Sequence, residues 1–165
     1  MDTLVNKQES MSQVITSEEL LAHFQGHRNL TRRVIEKFPE EDFFNFTIGG
    51  MRPFSAMVLE LLAIAGPGVR EIATGQVQAF DENRDLGNKK EAYLKLWDET
   101  TETINTYWQQ IKPEQFQEKI KIFGQYDGTV WSSIFYFIDN EIHHRGQGFV
   151  YLRALGIEPP AFYER

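Results

Sequence analysis

The chain has 165 residues, a formal net charge of −7 and no cysteine, and 41% of its residues are hydrophobic. A chain of this length can bury enough apolar surface to fold as one domain, and without cysteine it has neither disulfides nor thiolate metal sites. The negative charge opposes nucleic-acid binding, and the sequence lacks the run of about 18 apolar residues that a membrane span needs. Its polar start lacks the apolar run of a signal peptide, which predicts a cytoplasmic protein.

The first long helix is predicted from a capping signal. Thr16 and Glu19 have capping-box spacing, so the helix should begin there, after a flexible lead-in over residues 1–15. Apolar residues then recur at steps of three and four, which is the pattern of an amphipathic helix. Pro39 should end this helix, and a loop is expected over residues 41–50.

The middle of the chain predicts two further helices. One should start after Pro53, because proline suits the first helical turn, and should be kinked or broken at Pro67. Residues 76–88 have the composition of a loop. Asn88 is predicted to cap the third helix, which should stop before Pro113.

In the last third of the chain, the hydrophobic pattern changes from helical spacing to strand-like alternation and then returns to helical spacing. Residues 119–123 alternate like a strand and residues 124–128 are rich in turn formers, so a short hairpin or an irregular loop is expected. The fourth long helix should run over residues 129–155 and end at Gly156. Four helices with short links predict one all-α domain over residues 16–165, an up-and-down four-helix bundle.

The segment 140–147, Asn-Glu-Ile-His-His-Arg-Gly-Gln, is the most informative part of the chain. Asn140 and His144 are four residues apart and therefore project from one face of the last helix. Phe137 and Tyr151 lie along roughly the same line, and we expect them to line a pocket with this polar pair. The alternatives are an exposed polar patch and a core histidine with one hydrogen-bond partner.

Three polar residues on the other helices are candidates for the same pocket. His27 lies in the apolar stripe of the first helix and is expected to line the pocket from the opposite side. His23 precedes it by one turn, so the pair also has ligand spacing, although packing or surface roles are usual for such residues. Glu60 flanks the stripe of the second helix, where it is either a solvent-exposed carboxylate or part of the pocket.

The chain resembles the DinB-like family. The run His-His-Arg-Gly-Gln at 143–147, the segment Tyr-Leu-Arg-Ala-Leu-Gly at 151–156 and the following Pro-Pro pair are similar to that family's C-terminal signature. Met-Arg-Pro-Phe-Ser at 51–55 is similar to its other recurrent segment. The resemblance covers nearly the whole chain after residue 16 and implies the DinB-like bundle.

The resemblance also implies a metal site with an unusual ligand set. Members typically bind zinc or nickel through three histidines, one on the second helix and two spaced by four on the last helix. Those positions fall on or next to Glu60, and on Asn140 and His144, so only one histidine is retained. Either these three residues form a mixed nitrogen and oxygen site, or the pocket is metal-free and Glu60 bonds His144.

Two functions remain open from the sequence. The first is a metal-dependent enzyme, because characterised members of the family include transferases that activate a low-molecular-weight thiol and thiol-dependent isomerases. The second is a non-catalytic bundle that binds a small molecule or is associated with stress. Family resemblance also implies a homodimer, and neither nucleic acid nor a membrane is expected as a partner.

Overall fold

The computed structural model describes residues 13–165, so most of the predicted lead-in, residues 1–12, lies outside the described residues. The described chain forms a bundle of helices with a two-stranded antiparallel hairpin before the last helix, as predicted. Its elements are α1 (Ser17–Lys37), α2 (Glu40–Asn45), α3 (Phe54–Thr74), α4 (Lys90–Trp108), a 3₁₀ turn (Pro113–Gln117), β1 (Lys119–Ile122), β2 (Tyr126–Thr129) and α5 (Val130–Ala154).

Local capping signals define the ends of α1 and α5. The Thr16 hydroxyl accepts from the backbone N–H of Glu19, and the Glu19 carboxylate accepts from the N–H of Thr16, which is the predicted capping box. Thr129 caps α5 in the same way through Ser132. Gly156 has a φ of 75°, so the chain leaves α5 at the residue that was expected to stop it.

Three expectations about the middle of the chain are corrected. Residues 41–50 are not all loop, because the short helix α2 forms where Phe43 buries its ring against Phe38 and Phe54. The break that was one expectation at Pro67 does not occur: α3 is one helix, as its apolar stripe indicated, and buried residues on both sides of the proline hold it against its neighbours. Asn88 does not cap α4; the N–H of Lys90 donates instead to the Glu40 carboxylate, at 3.1 Å.

The helices pack so that α5 contacts both α1 and α3. Each of α1 and α3 also packs on α4, which places α1 and α3 at opposite corners of the bundle. The core has one half beside the hairpin and another half around α2. Close approach at Gly148 fixes the second half, because a Cβ there would lie 2.6 Å from the Phe54 ring. No helix within residues 13–165 has the length and apolar character to cross a membrane.

Candidate functional site

Four polar side chains meet between α3 and α5 and are called here the Glu60 cluster: Arg52, Glu60, Asn140 and His144. Asn140 Nδ2 donates to Glu60 Oε1 at 3.1 Å, and His144 Nε2 lies 3.1 Å from the same oxygen. Arg52 donates to Glu60 Oε2 at 2.5 Å. The structure therefore brings together the three residues Glu60, Asn140 and His144 on which the sequence interpretation depends, and adds Arg52 to them.

The chain positions each member of the Glu60 cluster through regular structure. Asn140 and His144 are one turn apart on α5, and Glu60 faces them from the second turn of α3. Arg52 precedes α3, where its backbone carbonyl accepts a hydrogen bond from the Tyr151 hydroxyl at 2.8 Å. The guanidinium of Arg52 is therefore held close to the carboxylate of Glu60, which lies two helical turns further along the chain.

Glu60 is held as a carboxylate by its donors. Burial raises the pKa of Glu60, but hydrogen bonds from Arg52, Asn140 and His144 together outweigh burial, and the pKa lies below its ordinary value. On the other side of the ring, His144 Nδ1 is 2.7 Å from Gln147 Oε1. With the Gln147 amide in this orientation, both ring nitrogens of His144 face oxygen atoms, so the orientation of the ring is fixed from both sides.

A cavity of about 590 Å³ lies beside the Glu60 cluster, and Glu60 is the cluster member that lines it. The hairpin, the loop before α4, α3 and α5 together form its walls. Its aromatic lining residues are Phe80, Phe123, Tyr126, Tyr136 and Phe137, and its acidic ones are Glu60, Glu82 and Asp127. None of the described lining residues is a lysine, an arginine or a histidine. The cavity is therefore aromatic and negatively charged.

A buried carboxylate holds the hairpin wall of this cavity in place. Glu71 of α3 is 3% exposed and accepts at 2.9 Å from the backbone N–H groups of both Phe123 and Gln78. Phe123 has a φ of 56°, a left-handed conformation that is costly for a bulky residue. Glu71 therefore stabilises a turn whose conformation is unfavourable by itself, and that turn directs Phe123 into the cavity.

The three residues that were predicted to line one pocket lie in three different parts of the structure. Phe137 lines the cavity and packs over Gly68, where a Cβ would lie 2.4 Å from its ring. His27 lines a separate cavity between α1 and α5, because α1 is at the corner opposite α3. Tyr151 is fully buried in the half of the core around α2 and reaches the site only by bonding to Arg52.

The donor set does not fit a zinc or nickel ion as it is arranged. Both oxygens of Glu60 already accept hydrogen bonds, and Asn140 presents its amide nitrogen, which is not a metal ligand. Among residues 13–165, no three His, Cys, Asp or Glu side chains lie close enough together to hold a metal ion. The Arg52 guanidinium already supplies a positive charge beside Glu60.

The sequence interpretation missed several residues of the site. Arg52 lies in the segment that carries the family resemblance, but its contact with Glu60 spans two turns and depends on how the chain enters α3. Glu82 and Asp127 come from a loop and a hairpin, where no periodic pattern indicates which way a side chain points. The charge of the cavity is therefore a property of the tertiary structure.

The described chain is a helical bundle with a hairpin before its last helix, and α3 and that helix share a polar site. These features define the class of fold. The family model described as "DinB family" matches residues 11–165. The chain therefore belongs to the DinB family.

Individual relatives have a similar fold and match this chain over most of their length. An uncharacterized protein from Bacillus subtilis, YjoA, is 24% identical over 152 residues, which is 90% of this chain and 97% of the relative. The crystal structure of YjoA, described as DinB-like, has a TM-score of 0.72 at 23% identity and covers 88% of this chain and 98% of its own. A DinB-like protein from Bacillus cereus has a TM-score of 0.73 at 14% identity, covering 88% and 97%.

Proposed function

We propose that this DinB-family protein binds a small organic molecule in the cavity beside the Glu60 cluster, with Glu60 as its polar anchor and without a transition metal. The observation that carries the proposal is the position of Glu60, which lines the cavity while Arg52, Asn140 and His144 hold its carboxylate in place. A fixed carboxylate at the edge of a largely apolar cavity is a typical small-molecule site.

The lining of the cavity supports a ligand with a basic group on a flat apolar body. Three carboxylates face the cavity, and none of the residues described as lining it carries a positive charge. Aromatic faces attract cations, and they also stack with planar apolar groups. An arylalkyl amine, which is protonated at neutral pH and carries a flat ring, therefore matches both the charge and the shape of this site better than an anionic metabolite does.

The contact between Glu60 and His144 also supports proton transfer at this site. A carboxylate and an imidazole that share a hydrogen bond can exchange a proton, and Glu60 connects that pair to the cavity. If the protein is an enzyme, Glu60 is in our proposal the base that faces the ligand and His144 is the group that stabilises its charge.

A ligand pair that differs only in charge tests the proposal. We expect phenethylamine to raise the melting temperature of the protein, and its neutral analogue 2-phenylethanol to raise it much less. Glu60→Gln keeps the shape of the side chain and should abolish the difference between the two compounds. Glu91→Gln removes an equal charge from the exposed face of α4 and should not change it. Equal shifts with both compounds would overturn the proposed ligand class.

A metal-dependent enzyme is the second candidate, and the convergence of Glu60, Asn140 and His144 on one point favours it. Rotation of the Asn140 amide and displacement of Arg52 would offer a mixed nitrogen and oxygen site for zinc or nickel, as in a thiol-dependent transferase or isomerase. Metal analysis of protein purified without a polyhistidine tag separates the candidates. Stoichiometric metal that is lost in both Glu60→Ala and His144→Ala supports the enzyme; metal-free protein that binds phenethylamine supports the first proposal.

We also propose that the protein forms a homodimer. Trp131 and Phe135 lie one turn apart on α5, contact each other edge to face, and are 43% and 39% exposed. Large exposed aromatic side chains of this kind are enriched at protein interfaces. Light scattering should give the mass of a dimer at micromolar concentration, and Trp131→Glu should shift it to that of the monomer. A cytoplasmic location remains a prediction from the sequence.

A further inference from the structure

A second polar network lies on the other side of α5, and its buried charges do not balance. Arg28, Glu141 and Arg145 are 0%, 1% and 6% exposed. Glu141 lies 3.4 Å from the Arg28 guanidinium and 3.9 Å from that of Arg145. Because arginine remains protonated, two buried cations share one buried carboxylate. Asp98 also acts on Arg28, but it is exposed and pairs with Arg32, so the buried groups by themselves carry an excess positive charge.

His27 connects this network to a third arginine. Arg145 donates to His27 Nδ1 at 2.8 Å, and the Nη1 atom of Arg165 lies 3.1 Å from His27 Nε2. Burial, followed by the charges of Arg145, Arg165 and His23, lowers the pKa of His27 to about 4, so its ring is neutral near pH 7.

A neutral imidazole has only one acceptor nitrogen, so His27 cannot accept from both arginines, and we assign its acceptor to the shorter contact, that of Nδ1 with Arg145. His27 Nε2 must then carry the proton, which it can donate to His23 Nε2 at 3.2 Å. The Arg165 guanidinium therefore faces an N–H group instead of an acceptor. Two adjacent guanidinium groups lie at this end of the network, and His27 does not satisfy Arg165.

These groups open onto a cavity of about 530 Å³ between α1 and α5, called here the α1–α5 cavity. Arg145, Arg165, His23 and His27 form its polar part, and no acidic residue is among the described residues that line it. Its apolar part consists of Ile142, Phe149 and Phe162. The cavity thus combines unbalanced positive charge with an apolar surface.

We propose that the α1–α5 cavity binds an organic anion that has a carboxylate on an apolar body. The carboxylate accepts hydrogen bonds from Arg165 and compensates the excess charge of the buried network through Arg145. The apolar body lies against Ile142, Phe149 and Phe162. Inorganic phosphate has the charge but no group for that surface, so we expect it to bind more weakly. The site is independent of the Glu60 cluster, which lies on the opposite face of α5.

Titration calorimetry with sodium octanoate, and separately with inorganic phosphate, tests this site. We expect octanoate to bind one equivalent per chain and Arg165→Gln to weaken it roughly tenfold, the loss typical of one charge-assisted hydrogen bond. Arg165 is exposed, so its replacement should not unfold the protein. Arg153→Gln removes an equal charge from an exposed position near the end of α5 and should leave the affinity within about twofold.

A second measurement locates the anion. At pH 7, where octanoate is ionised, its binding should shift the NMR signals of the His27 ring, because its carboxylate lies beside Arg165 and Arg145, which both contact that ring. Glu60→Gln should not affect octanoate binding, which separates this proposal from the proposed function. Absence of octanoate binding, equal affinity for octanoate and phosphate, unchanged binding in Arg165→Gln, or His27 ring signals that octanoate does not shift at pH 7 would each overturn it.

Discussion

Adjacent residues of α5 belong to two polar networks that differ in what surrounds them. Asn140 and His144 face α3 and the Glu60 cluster, whereas Glu141 and Arg145 face α1 and the buried arginine network. Each network centres on one carboxylate that accepts from arginine. Glu60 is 16% exposed and borders a cavity, while Glu141 is 1% exposed and is enclosed by protein. Similar side chains thus border a cavity in one place and form an enclosed structural connection in the other.

Burial raises the pKa of both carboxylates, but the net pKa shifts of the two are in opposite directions. At Glu60, the hydrogen bonds outweigh burial and the pKa is lowered. At Glu141, burial outweighs the attraction of Arg28, the hydrogen bond from Thr31 and the attraction of Arg145, so the pKa is raised. The comparison therefore teaches that the number of arginines near a carboxylate does not define its role. The degree of enclosure decides whether the charge is available to a ligand.

Replacement of Glu141 should have the largest effect on stability. Glu141→Gln leaves Arg28 and Arg145 buried without a counter-charge, and breaking a buried pair in this way costs about 3–5 kcal/mol. Urea denaturation should show a much lower midpoint at an unchanged slope. Glu60→Gln, the matched change in the other network, should cost less than about 1.5 kcal/mol because its charged partner Arg52 is half-exposed to solvent. Equal losses in the two variants would remove the distinction between the networks.

Acid should destabilise the protein through His27. The folded pKa of about 4 lies below the ordinary value of 6.5, so the unfolded chain binds more protons between these limits. The free energy of unfolding should therefore be highest above pH 6.5 and decrease toward pH 4, with a slope of at most about 1.4 kcal/mol per pH unit from this residue. His27→Gln should flatten the curve in that interval, and His143→Gln, an exposed position, should not.

Glu60 and His144 should be coupled by about 1 kcal/mol, the usual value for a hydrogen bond of this kind. The quantity is obtained from a double-mutant cycle of Glu60→Ala and His144→Ala in urea at pH 7. The same cycle with His143→Ala is the control, because the His143 side chain is exposed and makes no described contact with Glu60. Additive effects of Glu60→Ala and His144→Ala would mean that the two side chains do not interact in solution.

The sequence was sufficient for features that depend on local signals. The capping box at Thr16 defined the start of α1, Gly156 marked the end of α5, and helical spacing placed Asn140 and His144 on one face. The helix α2 was missed because its stability comes from Phe43 packing against distant residues rather than from its own sequence. Glu71 was missed for a related reason, since its partner Phe123 lies 52 residues away along the chain.

For the candidate site as well, the sequence identified some residues and missed others. The family resemblance brought Glu60, Asn140 and His144 to attention, and the bundle places them together. It did not indicate that Arg52 bonds to the carboxylate or that His27 belongs to another cavity. Both facts depend on which corner of the bundle each helix occupies, and hydrophobic periodicity does not determine the order of helices around a core.

Arg52→Ala should have the smallest effect on stability and is the most informative change in the Glu60 cluster. The Arg52 side chain is 47% exposed, and exposed ion pairs contribute at most about 1 kcal/mol. Its removal frees Glu60 Oε2, so the affinity for added Zn²⁺, measured by calorimetry, should increase. Lys89→Ala removes the partner of the exposed carboxylate Glu40 and should change neither the stability nor the Zn²⁺ affinity appreciably. Zinc affinity that is equally high with and without Arg52 would mean that arginine does not take the place of a metal, and the metal-dependent candidate would then be favoured.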